Sequence, residues 1–245
     1  MSPQMSTRHS TFHTTHWTSI RTAQEQGDGT AAREALAGLC ATYWPPLYAF
    51  IRRRGHAPHD AEDLTQGFLC QFLQKDSLRE VEPAKGRFRS FLLACLKQFL
   101  AREYEHGQAA RRGGGQTLIS LDSPEAQYSI EPVDTLTPES LFDRRWAATV
   151  LTCTLEDLRQ EYARRDKATW FEELIGFLPG CETRASRAEL AQRHKVGVGT
   201  IDVAVHRLRK RFGALLRQRI AQTVSREEDV NDELDYLMTV VGNGG

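Results

Sequence analysis

The stretch from Ser186 to Phe212 carries the signals of two helices joined by a tight turn, and it constrains the fold more than any other part of the chain. Ser186 with Glu189 three residues later is a capping box, in which each side chain satisfies the other residue's free backbone amide. Gly197 and Gly199 break the pattern, and the spacing predicts a new helix from Thr200. In that helix Ile201, Val205, Leu208 and Phe212 recur at i, i+4, i+7 and i+11, which stacks them in one narrow stripe. His206, Arg207 and Lys210 then point the other way. A helix that buries one face and offers cations on the other has the layout of a recognition helix in a DNA major groove. A helical hairpin with a merely solvated basic face would share this pattern.

The charge balance supports the first of these readings once it is taken locally. Across 245 residues, 32 Lys and Arg offset 32 Asp and Glu. From Arg184 to Arg219, however, ten cations face only Glu189 and Asp202, whereas from Ser225 onward one Arg faces six acids. A basic block followed by an acidic tail suits a nucleic-acid binder with a self-masking segment. Cys40, Cys70, Cys95, Cys153 and Cys181 have no paired spacing and read as reduced core residues. No apolar run approaches the ~18 residues needed to cross a bilayer, and the N-terminus lacks a signal peptide's apolar stretch. The expectation is a soluble, cytoplasmic protein with no membrane partner.

Helical periodicity dominates and sustained strand alternation is missing, which predicts an all-α fold. Helices are expected over 31–44 and 47–54, interrupted by Pro45 and Pro46, and over 60–74 and 88–104. Residues 107–137 turn to Gly, Ser, Gln, Asp and Pro and read as a flexible linker between two helical domains. Thr137 with Pro138 starts a long helix through Tyr162, and a short one follows from Trp170 to Leu178. Ser225 and Glu228 form a second capping box for a final helix with Val230, Leu234, Leu237 and Val241 on one face.

Two segments in the first half could carry binding chemistry. In the helix from Asp60, Ala61, Leu64, Phe68 and Phe72 cluster on one side, while Leu69 and Leu73 fall opposite, beside Glu62, Asp63 and Gln66. Such a mixed outer face suits docking of a basic partner, and a helix packed on both sides would show the same pattern. The next helix buries Phe88, Phe91, Leu92, Cys95 and Phe99 and turns Ser90, Lys97 and Tyr104 outward, with Lys85, Gly86 and Arg87 just before it. Cations beside an aromatic ring suit single-stranded DNA, because every base offers a stacking face.

Taken together, three motifs resemble a known family. AspAlaGluAspLeuThrGlnGlyPheLeu and GlyArgPheArgSerPheLeuLeuAlaCysLeuLysGlnPheLeuAla resemble region 2 of the extracytoplasmic-function sigma factors of bacterial RNA polymerase. GlyThrIleAspValAlaValHisArgLeuArgLysArgPhe resembles the end of region 4, and the tail AspValAsnAspGluLeu is similar to that of one subgroup. The resemblance implies an N-terminal arm (1–30), region 2 (31–112), a linker (113–137), region 4 (138–223) and an acidic C-terminal helix (224–245). It also implies a non-enzymatic subunit without cofactor, metal or catalytic residue.

Under this resemblance Asp60, Glu62, Asp63 and Gln66 dock on the β′ clamp helices of core polymerase, with the β flap as a second contact. Lys85, Arg87, Phe88, Ser90, Lys97 and Tyr104 bind the −10 strand of promoter DNA. Thr200, His206 and Arg207 enter the −35 major groove, with Arg209, Lys210 and Arg211 on phosphates. An anti-sigma factor is a further partner that the resemblance admits. Asp202, Val203 and Ala204 depart from the family's basic or hydroxyl residues, which shifts base contact towards thymine methyls. Lys195 stands at a turn position that usually holds Gly, so a reshaped turn is expected there.

Two other readings stand beside this one. A stand-alone helix-turn-helix regulator would bind a palindrome as a dimer. A metal-dependent nuclease would use His56, His59, Asp60, Glu62 and Asp63, although acids at a helix N-terminus also complement its dipole. His9, His13 and His16 lie in the polar arm. The acidic tail either masks the basic region-4 surface or covers apolar surface on it.

Overall fold

The computed structural model describes residues 30–74, 87–112, 136–182 and 185–242; the N-terminal arm to residue 29, Lys85, Gly86 and most of the linker lie outside them. Among the described residues the chain forms eight α-helices and one short 3-10 turn, with no strand, as the periodicity predicts. No described helix is long and apolar enough to cross a membrane.

Helix α1 (Thr30–Arg53) runs through Pro45 and Pro46 without interruption, which overturns the expected break. Leu39, Tyr43, Leu47, Phe50 and Ile51 keep helical spacing across the prolines and are each no more than 1 % exposed. An interior proline costs a helix about 3 kcal/mol. Burial of each large apolar side chain returns roughly 1.5–3 kcal/mol, so the stripe outweighs both prolines.

Helix α2 (Pro58–Gln74) starts two residues earlier than expected, with proline in its first turn. It lies between α1 and α3 (Phe88–Arg112), and this explains a second correction. Leu69, expected on the outer face, is 4 % exposed and belongs to the core; Leu73 is half-buried against it. Aromatic contacts join α1, α2 and α3: Tyr43 meets Phe88 at 5.2 Å, Phe68 meets Phe99 at 5.7 Å and Phe72 meets Phe88 at 6.3 Å.

Helix α4 (Pro138–Ala163) has Thr137 as its cap, whose hydroxyl accepts from the Ser140 amide at 3.1 Å. It packs along α1 and passes through two hydrophobic clusters. Phe142, Trp146, Ala147 and Val150 join the first, and Leu158 joins the second. Helix α5 (Ala168–Leu174), the 3-10 turn Ile175–Phe177 and helix α6 (Arg187–Arg193) complete the second cluster with the start of α7 (Val198–Ala221). The other end of α7, through Leu216 and Ile220, belongs to the first cluster together with Val230 and Leu237 of α8 (Asp229–Gly242). The first cluster therefore draws side chains from both sides of segment 113–135.

The last helix begins later than the Ser225–Glu228 pair predicts. Asp229 and Val230 donate their amides to the carbonyls of Arg226 and Glu227, so the helix begins at Asp229, beyond Ser225. Glu228 also pairs with Arg226 at 3.1 Å. Val241, expected on the apolar face, is 43 % exposed near the helix end. The cysteines also differ from expectation. Cys40, Cys95, Cys153 and Cys181 are half-buried and Cys70 is exposed, all as free thiols. Burial pushes the Cys40 and Cys95 thiols up.

Candidate nucleic-acid interface

The helix-turn-helix is built by local bonds that the sequence signals announce. The Ser186 hydroxyl accepts from the Glu189 amide at 3.2 Å, and the Ser186 amide donates to the Glu189 carboxylate at 2.6 Å. At the end of α6 the Lys195 amide donates to the Gln192 carbonyl at 3.2 Å and the Val196 amide to the Ala191 carbonyl at 3.0 Å. This bond pair is a Schellman stop, which requires a left-handed residue, and Lys195 supplies it at φ 55°. The turn bears the conformation and is not reshaped. Gly197 caps α7, which starts at Val198, two residues before Thr200. Asp202 binds Arg187 at 3.1 Å and so ties α7 to α6. Behind α6, Glu173 of α5 is partly buried, which opposes its charge; Arg193 at 3.0 Å and His194 nevertheless hold its carboxyl below the usual range.

The face of α7 separates its cations into two kinds. Ile201, Val205 and Leu208 are buried with Phe212 half-buried, as the stripe predicts. Thr200, Val203, His206, Arg207 and Lys210 are exposed on the opposite side. At about 100° per residue, positions 209 and 211 fall on the two flanks of the buried stripe. Arg209 accordingly donates twice to the Phe177 carbonyl, at 2.9 and 2.7 Å. Arg211 forms a two-pronged pair with Glu161 of α4, with one arm at 2.8 Å, and this bonding holds the Glu161 carboxyl below its usual range. Both guanidinium groups expected on phosphates are thus engaged within the fold.

Two features of this face escaped sequence reasoning. Val196 and Val198 are 38 and 46 % exposed, so the turn adds methyl groups to that of Val203, which the sequence already singles out and which is 50 % exposed. Beside Arg207 lies a hollow of about 300 Å³ walled by Tyr162 and Trp170, with Arg165 and Lys167 at its rim. The ArgArgAspLys run at 164–167 was its signal in the sequence.

The first-half residues are placed less uniformly. Asp60, Glu62, Asp63 and Gln66 all lie exposed on one strip of α2, where His59 meets Asp63 at 3.1 Å. Among the described residues no three His, Cys, Asp or Glu side chains gather as a metal site would require, so the ligand set of the nuclease reading does not converge. On α3, Ser90, Lys97 and Tyr104 share a line at seven-residue spacing; Ser90 is exposed and Tyr104 is 68 % exposed. Lys97 binds Glu139 of α4 at 2.7 Å and holds that carboxyl low. Phe88, expected on the −10 strand, is fully buried, and its amide donates to the Thr223 carbonyl at 3.0 Å. Arg87 pairs with Glu233 of α8 at 2.9 Å. The acidic tail therefore packs against α4, the far end of α7 and the start of α3. It leaves the outer face of α7 uncovered at His206, Arg207 and Lys210.

Compared with known proteins, the chain matches no family model, no curated protein and no solved structure.

Proposed function

We propose that this chain is a promoter-recognition subunit of bacterial RNA polymerase, of the sigma type, active in the cytoplasm and without catalytic chemistry of its own. The observation that carries the reading is the open face of α7. Thr200, Val203, His206, Arg207 and Lys210 stand exposed on the second helix of a capped helix-turn-helix. Cations with hydroxyl and methyl groups on one helical face suit base edges and flanking phosphates of a duplex major groove. Arg165, Lys167 and the aromatic hollow extend the positive surface beside Arg207. In this reading α2 meets the β′ clamp helices through Asp60, Glu62, Asp63 and Gln66. Residues 31–112 and 138–223 act as regions 2 and 4, joined by 113–137.

Run-off transcription tests the proposal. Purified chain added to core polymerase is expected to produce discrete start sites on genomic fragments, and co-purification of the two should weaken with Asp60→Lys or Asp63→Lys. Non-specific initiation only, with no complex formed, would remove it. A second reading draws on the first hydrophobic cluster, which joins the two halves of the chain as a one-body regulator would require. Tight binding of a palindromic duplex by a dimer, without polymerase, would favour that regulator.

A further inference from the structure

The cations at the start of α3 are each matched by a carboxylate from beyond residue 138. Glu233 of α8 is fully buried; it accepts from Arg89 Nε at 2.7 Å and pairs with Arg87 at 2.9 Å. Asp143 of α4 accepts from Arg89 Nη1 at 2.6 Å and from the Tyr236 hydroxyl at 2.8 Å. The Tyr236 ring lies 4.0 Å from the Arg89 guanidinium, which is 5.0 Å from the Trp146 ring on its other contact. Burial works against the Arg89 charge, yet Glu233 and Asp143 outweigh it and raise its pKa. Lys97 completes the set on Glu139.

Arg87 and Arg89 against Glu233 and Asp143 make a neutral group of four charges. Carboxylate and phosphate offer arginine the same two-pronged acceptor geometry. Removing one partner from a buried ion pair is costly, but replacing one anion with another keeps every cation paired. A phosphate strand could thus take over Arg87 and Arg89 as α8 withdraws.

We infer that α8 is an intramolecular competitor, holding the start of α3 closed against a nucleic-acid strand until it is displaced; this rests on the reading of α3 as a strand-binding helix. The closed state also explains why Arg87, expected at the strand, is drawn to Glu233; Phe88 is held separately, against Tyr43 and Phe72. Val230 and Leu237 anchor α8 in the first cluster, so displacement exposes apolar surface and needs a driving partner. Core polymerase, by engaging the acidic strip on α2 next to α3, is placed to supply it.

The test titrates the full chain with a fluorescent twenty-nucleotide oligo-dT strand at low salt, comparing wild type with Glu233→Gln and Tyr236→Phe. Folding is checked by circular dichroism. Release of the competitor is expected to tighten strand binding about tenfold for Glu233→Gln and less for Tyr236→Phe, within the usual range of coupling between sites. Asp235→Asn removes the same charge from an exposed position of α8 and is expected to change affinity no more than about twofold. Folded variants that bind no tighter than wild type overturn the inference, as does an Asp235→Asn effect equal to that of Glu233→Gln. Run-off transcription separates the causes. Unchanged strand affinity with intact transcription removes the competitor and leaves the promoter-recognition reading, whereas loss of both strand binding and transcription removes the two together.

Discussion

Helices α3 and α7 both carry cations alongside an apolar stripe, yet they present them in opposite ways. On α7, His206, Arg207 and Lys210 are exposed, and the carboxylates of the fold meet only its flanks. On α3, Arg89 is 5 % exposed and Arg87 and Lys97 are drawn to acids from α8 and α4. The strain differs as well. The open element carries a backbone cost at Lys195, where a left-handed residue costs roughly 1 kcal/mol. The closed element carries the cost of taking Arg89 and Glu233 out of water. One face is open and slightly strained, and the other is held by ion pairs.

The largest test of this contrast is stability. Arg89→Met leaves Glu233 buried with a single cation and is expected to cost about 3–5 kcal/mol in urea unfolding. Arg207→Ala on the open face should stay within about 0.5 kcal/mol of wild type. Equal losses would abolish the distinction between closed and open faces. Binding of duplex DNA from a mapped start site should reverse the order. Arg207→Ala is expected to lose about 1–3 kcal/mol of affinity, while Arg209→Ala leaves it nearly unchanged because its guanidinium serves the Phe177 carbonyl. A larger loss for Arg209→Ala would place the phosphate contacts on the flank.

Smaller effects refine the picture. Lys195→Gly should stabilise the chain by up to about 1 kcal/mol in thermal or urea unfolding, with DNA affinity retained. Destabilisation would show that the lysine side chain contributes more than its backbone costs. The smallest effect lies in the acid limb. Arg211 depresses the folded-state pKa of Glu161, so this pair adds stability above the ordinary carboxyl value of 4.5 and loses it as pH falls through the folded value. Glu161→Gln should therefore flatten the decline of Tm below about pH 4.5, and an unchanged acid limb would mean the pair contributes nothing.

Much of the fold was readable because its signals are local. The Ser186–Glu189 box, the Thr137–Pro138 start and the Ile201 to Phe212 stripe each depend on residues within one or three turns of one another. What escaped was set at long range. Pro45 and Pro46 read as a break until the burial of Tyr43 and Leu47 against the rest of the core is known. Leu69 read as outward because a wheel for α2 cannot show that α1 and α3 flank it. The exposed side of α7 followed from spacing alone, but the partners of Arg209 and Arg211 come from residues 177 and 161. The Arg89–Glu233 contact spans 144 positions, and no periodicity announces it.

The passage of α4 through both clusters has a mechanical consequence. A helix of 26 residues is about 39 Å long, and it continues from Phe142 and Trp146 at one end to Leu158 at the other without a break. Given that length, a tilt of only about 10° at the Asp143 end would displace the far end by roughly 7 Å. Arg211 and Glu161 tie that far end to α7, so one helix joins the Asp143–Arg89 contact to the element with the exposed cations.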